Sequence, residues 1–249
     1  MKRFFSALGE LAGFSALVAR RTFLRGCSLR SLAQQMHRIG VESLTVVNLC
    51  AFFIGLVMVV QTQAMLKRFG AETSVSQVVT ASFVREIGPV FAAIMFAGRI
   101  GTGIAAELGS MVVTEQIDAY RVFGADPVAR LAVPRILATT LMLPALTVIA
   151  NVVGIFAGFL IVVFQLGQSS EIYLQGAMGV LSRLDVLTCL LKGTFFGLII
   201  GLIATNIGFR VERATEAVGA ATTRTMVEGV LAILITDLLI TKAVLLAGG

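Results

Sequence analysis

Five apolar runs, each about the length a helix needs to cross the hydrocarbon of a bilayer, leave this chain little choice of fold. They are Ser43–Leu66, Val78–Gly101, Ile136–Gln165, Leu184–Phe209 and Met226–Ala247. Hydrocarbon offers backbone N–H and C=O groups no outside partner, so such segments cross as helices. The expected fold class is therefore an all-α polytopic membrane protein. With 57% hydrophobic and 14% charged residues, the chain is also more apolar than one soluble core requires. The third run is longer than a bilayer and carries Pro144, which predicts tilting, kinking or protrusion.

Lys and Arg are retained on the cytoplasmic side, so the connections orient the spans. The N-terminal segment carries Lys2, Arg3, Arg20, Arg21, Arg25, Arg30 and Arg38; the second connection carries Arg121, Arg130 and Arg135, with Arg99 near its start; the fourth carries Arg210, Arg213 and Arg224. The opposite connections hold only Lys67, Arg68 and Arg183 against Glu72 and Glu171. This predicts a cytoplasmic N-terminus and an outside C-terminus. Before the first run, Phe4, Leu8, Leu11 and Val18, then Leu29, Leu32, Met36 and Ile39, recur at helical spacing. Residues 1–42 are expected to form interfacial amphipathic helices on the cytoplasmic face, ahead of a single five-span domain at 43–249. A cleaved signal peptide fits poorly, since no compact apolar core is followed by a small-residue cleavage site.

Charges inside the runs mark a candidate site. A charge at bilayer depth costs about 3 kcal/mol on insertion scales and faces a partner or a hydrated cavity. Arg85 and Glu86 lie in the second run, Lys192 in the fourth and Asp237 in the last. Pro89 crowds the carbonyl of Arg85 and removes a donor, which predicts a kink there. With the second and fourth runs both starting outside, Glu86 and Lys192 fall at a similar depth, about 12–14 Å down. They can pair or share a polar cavity. Arg85 and Lys192 suit a lipid phosphate, with Glu86 balancing their charge; Met65, Leu66 and Phe69 suit an acyl chain. The alternatives are an ion-pair network that only holds helices together, and ordinary core packing. Asp237 is expected to satisfy a neighbouring helix.

Small residues recur every fourth position at Ala93, Ala97, Gly101, Ala105 and Gly109, at Gly193, Gly197 and Gly201, and at Gly154 and Gly158. Such stripes let backbones approach closely, within one chain or across a dimer seam. In the second connection, Thr114 is expected to cap a short helix running from Glu115 to near Gly124, and Asp126–Pro127 to start the next. Glu115, Gln116, Asp118 and Arg121 then form either a solvated face or a docking peg for a soluble partner.

Other chemistry is disfavoured. Cys27, Cys50 and Cys189 have neither disulfide nor zinc spacing, and His37 has no acidic or cysteine companion, so no metal is expected. Gly98–Gly103 lacks the lysine of a phosphate-binding loop, so ATP hydrolysis must lie on another chain. No nucleic-acid partner is expected.

The segment REIGPVFAAIMFAGRIGTGIAAELGSMVVTEQIDAY…GADP…PR between Arg85 and Arg135, VGAATTRTMV at Val218–Val227, and Asp237 carry a family likeness. Over nearly everything after residue 43 the chain resembles the MlaE/YrbE family of ABC-transporter permeases, which work with MCE proteins in bacterial lipid trafficking. The resemblance implies a homodimer in the bacterial inner membrane that moves phospholipid and maintains outer-membrane asymmetry. It also implies cytoplasmic ATPase subunits that hold the ATP and Mg, a periplasmic MCE-domain partner and a small cytoplasmic accessory protein, with no cofactor bound by this chain. The Glu115–Gly124 helix would be the coupling helix. Tyr120 and Phe123, where leucine and methionine are expected, and the charged Arg210–Glu216 loop depart from the family pattern. An ion-coupled carrier using Glu86 and Asp237, and a non-transporting scaffold, are the competing function classes.

Overall fold

The computed structural model describes the backbone of residues 2–25 and 28–248, and side chains from residue 9 to 246 except residues 10 and 23–27. The amphipathic pattern at Phe4 and Leu8, the charges at Lys2, Arg3 and Arg25, and Cys27 lie outside the described side chains.

Eight helical runs follow in order: α1 (Lys2–Arg25), α2 (Leu29–Lys67), α3 (Glu72–Val113), α4 (Gln116–Val122), α5 (Val128–Gln165), α6 (Ser170–Val180), α7 (Arg183–Phe209) and α8 (Thr215–Gly248). No strand occurs among the described residues. Helices α2, α3, α5, α7 and α8 are the five long and apolar enough to cross a membrane. The all-α polytopic fold class is thus observed, with longer spans than the apolar runs suggest. Helix α3 starts at Glu72, not Val78, and α5 at Val128, not Ile136.

The 42/43 division falls inside a single 39-residue helix. No proline interrupts residues 29–67, and Gly40 lies against the Met142 side chain, so the amphipathic segment continues coaxially into the first span. Leu32 and Met36 pack with Ile39 on the protein core. Helix α1 is likewise seated on protein: Val18 and Phe14 meet Ala132, Val133 and Ile136, and the Phe14 and Phe209 rings are 6.3 Å apart. Arg21 Nε adds an ion pair to Asp126 Oδ2 at 2.9 Å.

The kink expected at Pro89 takes the form of a wide turn. Residues Phe83–Ile87 form a π-helical turn, in which the Gly88 N–H reaches back five residues to the Phe83 carbonyl. A second such turn spans Ala97–Gly101. Pro89 then sits in the first turn of regular helix, where its missing N–H does least harm.

The small-residue stripes are used inside the chain. Gly193 abuts Pro144, Gly197 abuts the Thr139–Thr140 backbone and Gly201 abuts Ile136, so one side of α7 rests on α5 at backbone distance. Gly55 of α2 lies on the Gly154 backbone, while Gly158 faces Val59 and the Tyr173 hydroxyl. Ala93, Ala97 and Ala105 are buried, and Gly101 faces Ile200 and Thr225. In lipid, this contact of backbone on backbone replaces the hydrophobic drive available in water.

Helix α6 connects the third and fourth spans and packs on the outer start of α3, where Gly176 meets Ser76. Tyr173 is fully buried there and its hydroxyl donates to the Ile155 carbonyl at 3.0 Å. Burial pushes its phenol up to about 12. At the other end, Glu107 of α3 joins Arg38 of α2 at 3.2 Å and the buried Arg135 of α5 at 2.9 Å. Arg135 also donates to the Leu131 carbonyl at 2.8 Å, so three spans are clasped where they meet.

Candidate functional site

The side chain of Lys192 is completely buried, and its ammonium is the hub of the site. It lies 2.6 Å from Glu86 Oε2, 2.8 Å from Asp237 Oδ1, 2.8 Å from Thr241 Oγ1 and 3.0 Å from the Arg85 carbonyl. Three ammonium protons face four oxygens, so one of these contacts is electrostatic and not a hydrogen bond. Thr241 in turn donates to Glu86 Oε1 at 3.0 Å, closing a ring that spans α3, α7 and α8.

Local sequence explains the geometry. In a regular helix the Arg85 carbonyl would accept the N–H of residue 89, and proline has none. That freed acceptor is the one Lys192 takes. Asp237 and Thr241 are four residues apart and so share one face of α8. Lys192 is sealed, but the Glu86 side chain keeps 43% of its surface, so the ring is open at one edge. With both carboxylates ionised it carries one net negative charge, which a phosphate would not seek by itself.

Arg85 does not join that ring through its side chain. Its guanidinium forks onto Asp185, Nε to Oδ1 at 2.8 Å and Nη2 to Oδ2 at 3.2 Å. Asp185 also completes the capping box of α7: it accepts from the Ser182 N–H at 3.0 Å, while Ser182 Oγ accepts from the Asp185 N–H at 3.1 Å. The Ser182–Asp185 spacing is legible in the sequence, yet the charges alone drew together Glu86 and Lys192 and set Arg85 with Lys192 on a lipid phosphate. Asp185→Ala removes a cap and an arginine partner together, so a loss of about 1–2 kcal/mol is expected in detergent unfolding. Asp185→Asn should lose less, because the amide oxygen still caps.

The proposed acyl wall is dispersed. Leu66 packs inward with Val59, Val79 and Phe83, whereas Met65 and Phe69 are exposed. Leu66 shares its cluster with Phe83 and Ile87, which flank Arg85 and Glu86, but none of the three contacts the Lys192 ammonium.

At the other end, Thr114 does not cap α4. Its hydroxyl donates to the Ser110 carbonyl at 2.8 Å, closing α3, because a hydroxyl at a helix end readily bonds back one turn. Glu115 precedes α4 in a left-handed conformation, φ 58°, the only non-glycine residue in that region among those described. Glu115 and Asp118 both turn to Arg213, at 3.4 and 2.6 Å, and Arg121 holds the second oxygen of Asp118 at 3.0 Å. Ile117 is buried and Tyr120 packs on the core, while Gln116, Val122 and Phe123 are exposed. Asp126 starts α5 as expected, accepting from the Val128 N–H at 3.0 Å. An open groove of about 400 Å3 runs between α3 and α8, lined by Thr102, Gly103, Ala106, Thr222, Thr223 and Met226.

Comparison with known proteins adds a family match. The family described as Permease MlaE matches residues 32–243. The intermembrane phospholipid transport system permease protein MlaE of Haemophilus influenzae is 36% identical over 249 residues, covering 98% of this chain and 94% of that protein. A probable ABC transporter permease protein of Rickettsia typhi is 37% identical over 240 residues, covering 96% and 93%. The chloroplastic protein TRIGALACTOSYLDIACYLGLYCEROL 1 of Arabidopsis thaliana is 35% identical over 213 residues, covering 86% of this chain and 61% of that protein.

Proposed function

Since this chain belongs to the MlaE permease family, we propose that it is the membrane subunit of an ATP-driven transporter that moves phospholipid. It sits in a bacterial inner membrane with its N-terminus in the cytoplasm and its C-terminus in the periplasm. Two copies form the membrane core, cytoplasmic ATPase subunits with their ATP and Mg bind beneath it, and a small accessory protein joins them. A periplasmic MCE-domain protein exchanges lipid with the core, maintaining outer-membrane asymmetry.

The observation that carries this reading is the ring around Lys192, with ionisable groups from three spans converging at bilayer depth and one edge open at Glu86. Burying such charges is costly and marks function more often than stability. Because Lys192 is sealed, Arg85 is the cation that meets a lipid phosphate, exchanging the carboxylate of Asp185 for it while Glu86 and Lys192 hold the helices in register. The guanidinium fork matches either anion. Met65 and Phe69, exposed at the end of α2, lie against the acyl chains. The dimer is supported by α8, whose Leu231, Leu234, Ile235, Leu238 and Leu239 are all exposed, beside a groove of small residues that lets a second backbone approach. Gln116, Arg121, Val122 and Phe123 of the α4 region face the ATPase.

Proteoliposomes holding the permease with its ATPase are expected to deliver fluorescent phospholipid to acceptor vesicles when ATP is present and no ion gradient exists. Delivery that ignores ATP and follows an imposed proton gradient would replace this reading with an ion-coupled carrier. No delivery under either condition, with intact assembly, would leave a scaffold.

A further inference from the structure

The acidic face of α4 is already engaged within the chain. Arg213, in the connection between α7 and α8, binds Asp118 at 2.6 Å and Glu115 at 3.4 Å, and Arg121 braces Asp118 from the other side. These carboxylates are therefore not simply presented to a soluble partner. What α4 leaves open is its far end, Val122 and Phe123, which are 83% and 86% exposed.

The backbone around the contact suits a moving joint. Glu115 separates α3 from α4 at φ 58°, so α4 leaves the line of the preceding helix as a separate element. A left-handed non-glycine residue persists where the surroundings hold it, and here Arg213 grips its side chain. The Arg213 side of the joint is firm: Val211 is buried among Ile203, Ile207 and Ala221, and it closes against Gly109 of α3. Two residues after Arg213, α8 begins at Thr215 and runs unbroken past Asp237 and Thr241. Those two side chains touch Lys192 about 33–39 Å away along a helix rising 1.5 Å per residue.

We propose that Arg213 is a positioning residue that couples α4 to α8, so that displacement of α4 by the ATPase is carried along α8 to the Lys192 ring. This rests on α4 being the ATPase seat proposed above. In water an exposed pair of this kind contributes little. Beneath a docked subunit the same charges lose solvent screening, and the grip tightens when the ATPase is in place.

The test compares wild type, Arg213→Ala and Arg213→Lys, each co-expressed with the ATPase and reconstituted as the whole assembly, by measuring phospholipid delivered per ATP hydrolysed. Arg213→Ala is expected to keep wild-type ATPase co-purification and turnover while delivery per ATP falls at least tenfold. Arg213→Lys, which keeps the charge but not the fork, should recover part of the ratio. A merely structural role would lower yield or melting temperature and leave the ratio of the surviving assembly alone. An unchanged ratio in Arg213→Ala overturns the proposal, and so does loss of ATPase co-purification, which would make Arg213 a docking residue. A wild-type chain that captures no ATPase overturns the underlying permease reading, and the coupling with it.

Discussion

Lys192→Met is expected to destabilise the protein by about 3–5 kcal/mol and to abolish lipid delivery. The substitution removes the one ammonium that faces both Glu86 and Asp237 and leaves two carboxylates together, Asp237 largely buried and Glu86 at the open edge, with no cation between them. Breaking a buried ion pair in this way costs far more than replacing it whole. The triple variant Lys192→Met, Glu86→Gln, Asp237→Asn should therefore regain most of the melting temperature in detergent. It should not regain delivery. If the neutral triple variant both folds and transports, the charges of the ring are not needed for delivery, and the observation on which the proposed function rests falls with them.

The second large effect is steric. Gly197→Ala places a methyl group against the Thr139 carbonyl oxygen, with the Thr139 carbonyl carbon and Thr140 Cα each 3.0 Å away. Those are backbone atoms, which no rotamer change can move aside. Helices α5 and α7 must separate, at a cost of about 1–3 kcal/mol for overpacking of this kind. The displacement also falls five residues along α7 from Lys192, so transport should suffer beyond what lost stability predicts. Gly179→Ala in α6 is the matched control, since a Cβ there meets nothing within 4 Å. It should be neutral or stabilise by up to about 1 kcal/mol. Equal melting temperatures for the two variants would show that the α5–α7 crossing is looser than its geometry.

What the sequence made legible was whatever depends on one-dimensional patterns. Apolar runs of bilayer length identify five spans, and the expense of unpaired charge at depth brings Glu86 and Lys192 together. Asp237 was expected to satisfy a neighbouring helix and does so on α7. Partners that meet only through the fold were not legible. Arg85 and Asp185 are a hundred residues apart, and nothing near either one points to the other. Thr241 carried a weak signal, one helical turn beyond Asp237. Arg213 was counted as a topogenic charge and as part of the charged Arg210–Glu216 loop, with no partner assigned to it. The cap assigned to Thr114 failed because its hydroxyl had an alternative carbonyl at Ser110, a competition that residue type alone does not decide. One helix runs through residues 42 and 43, because no residue there forbids helix and packing of Leu32, Met36 and Ile39 on the core favours it.

The wide turn at Phe83–Ile87 holds one residue more than an α-helical turn. That spare residue sets the angular bearing of everything on its outer side relative to the rest of α3 by roughly 100°. The carboxylate of Glu86 points where it does because of a count and not only because of side-chain chemistry. A chain of this type thus tolerates many exchanges of one apolar residue for another around the turn, whereas losing or gaining a single residue there would spin Glu86 off its partners while leaving composition, span length and hydropathy intact.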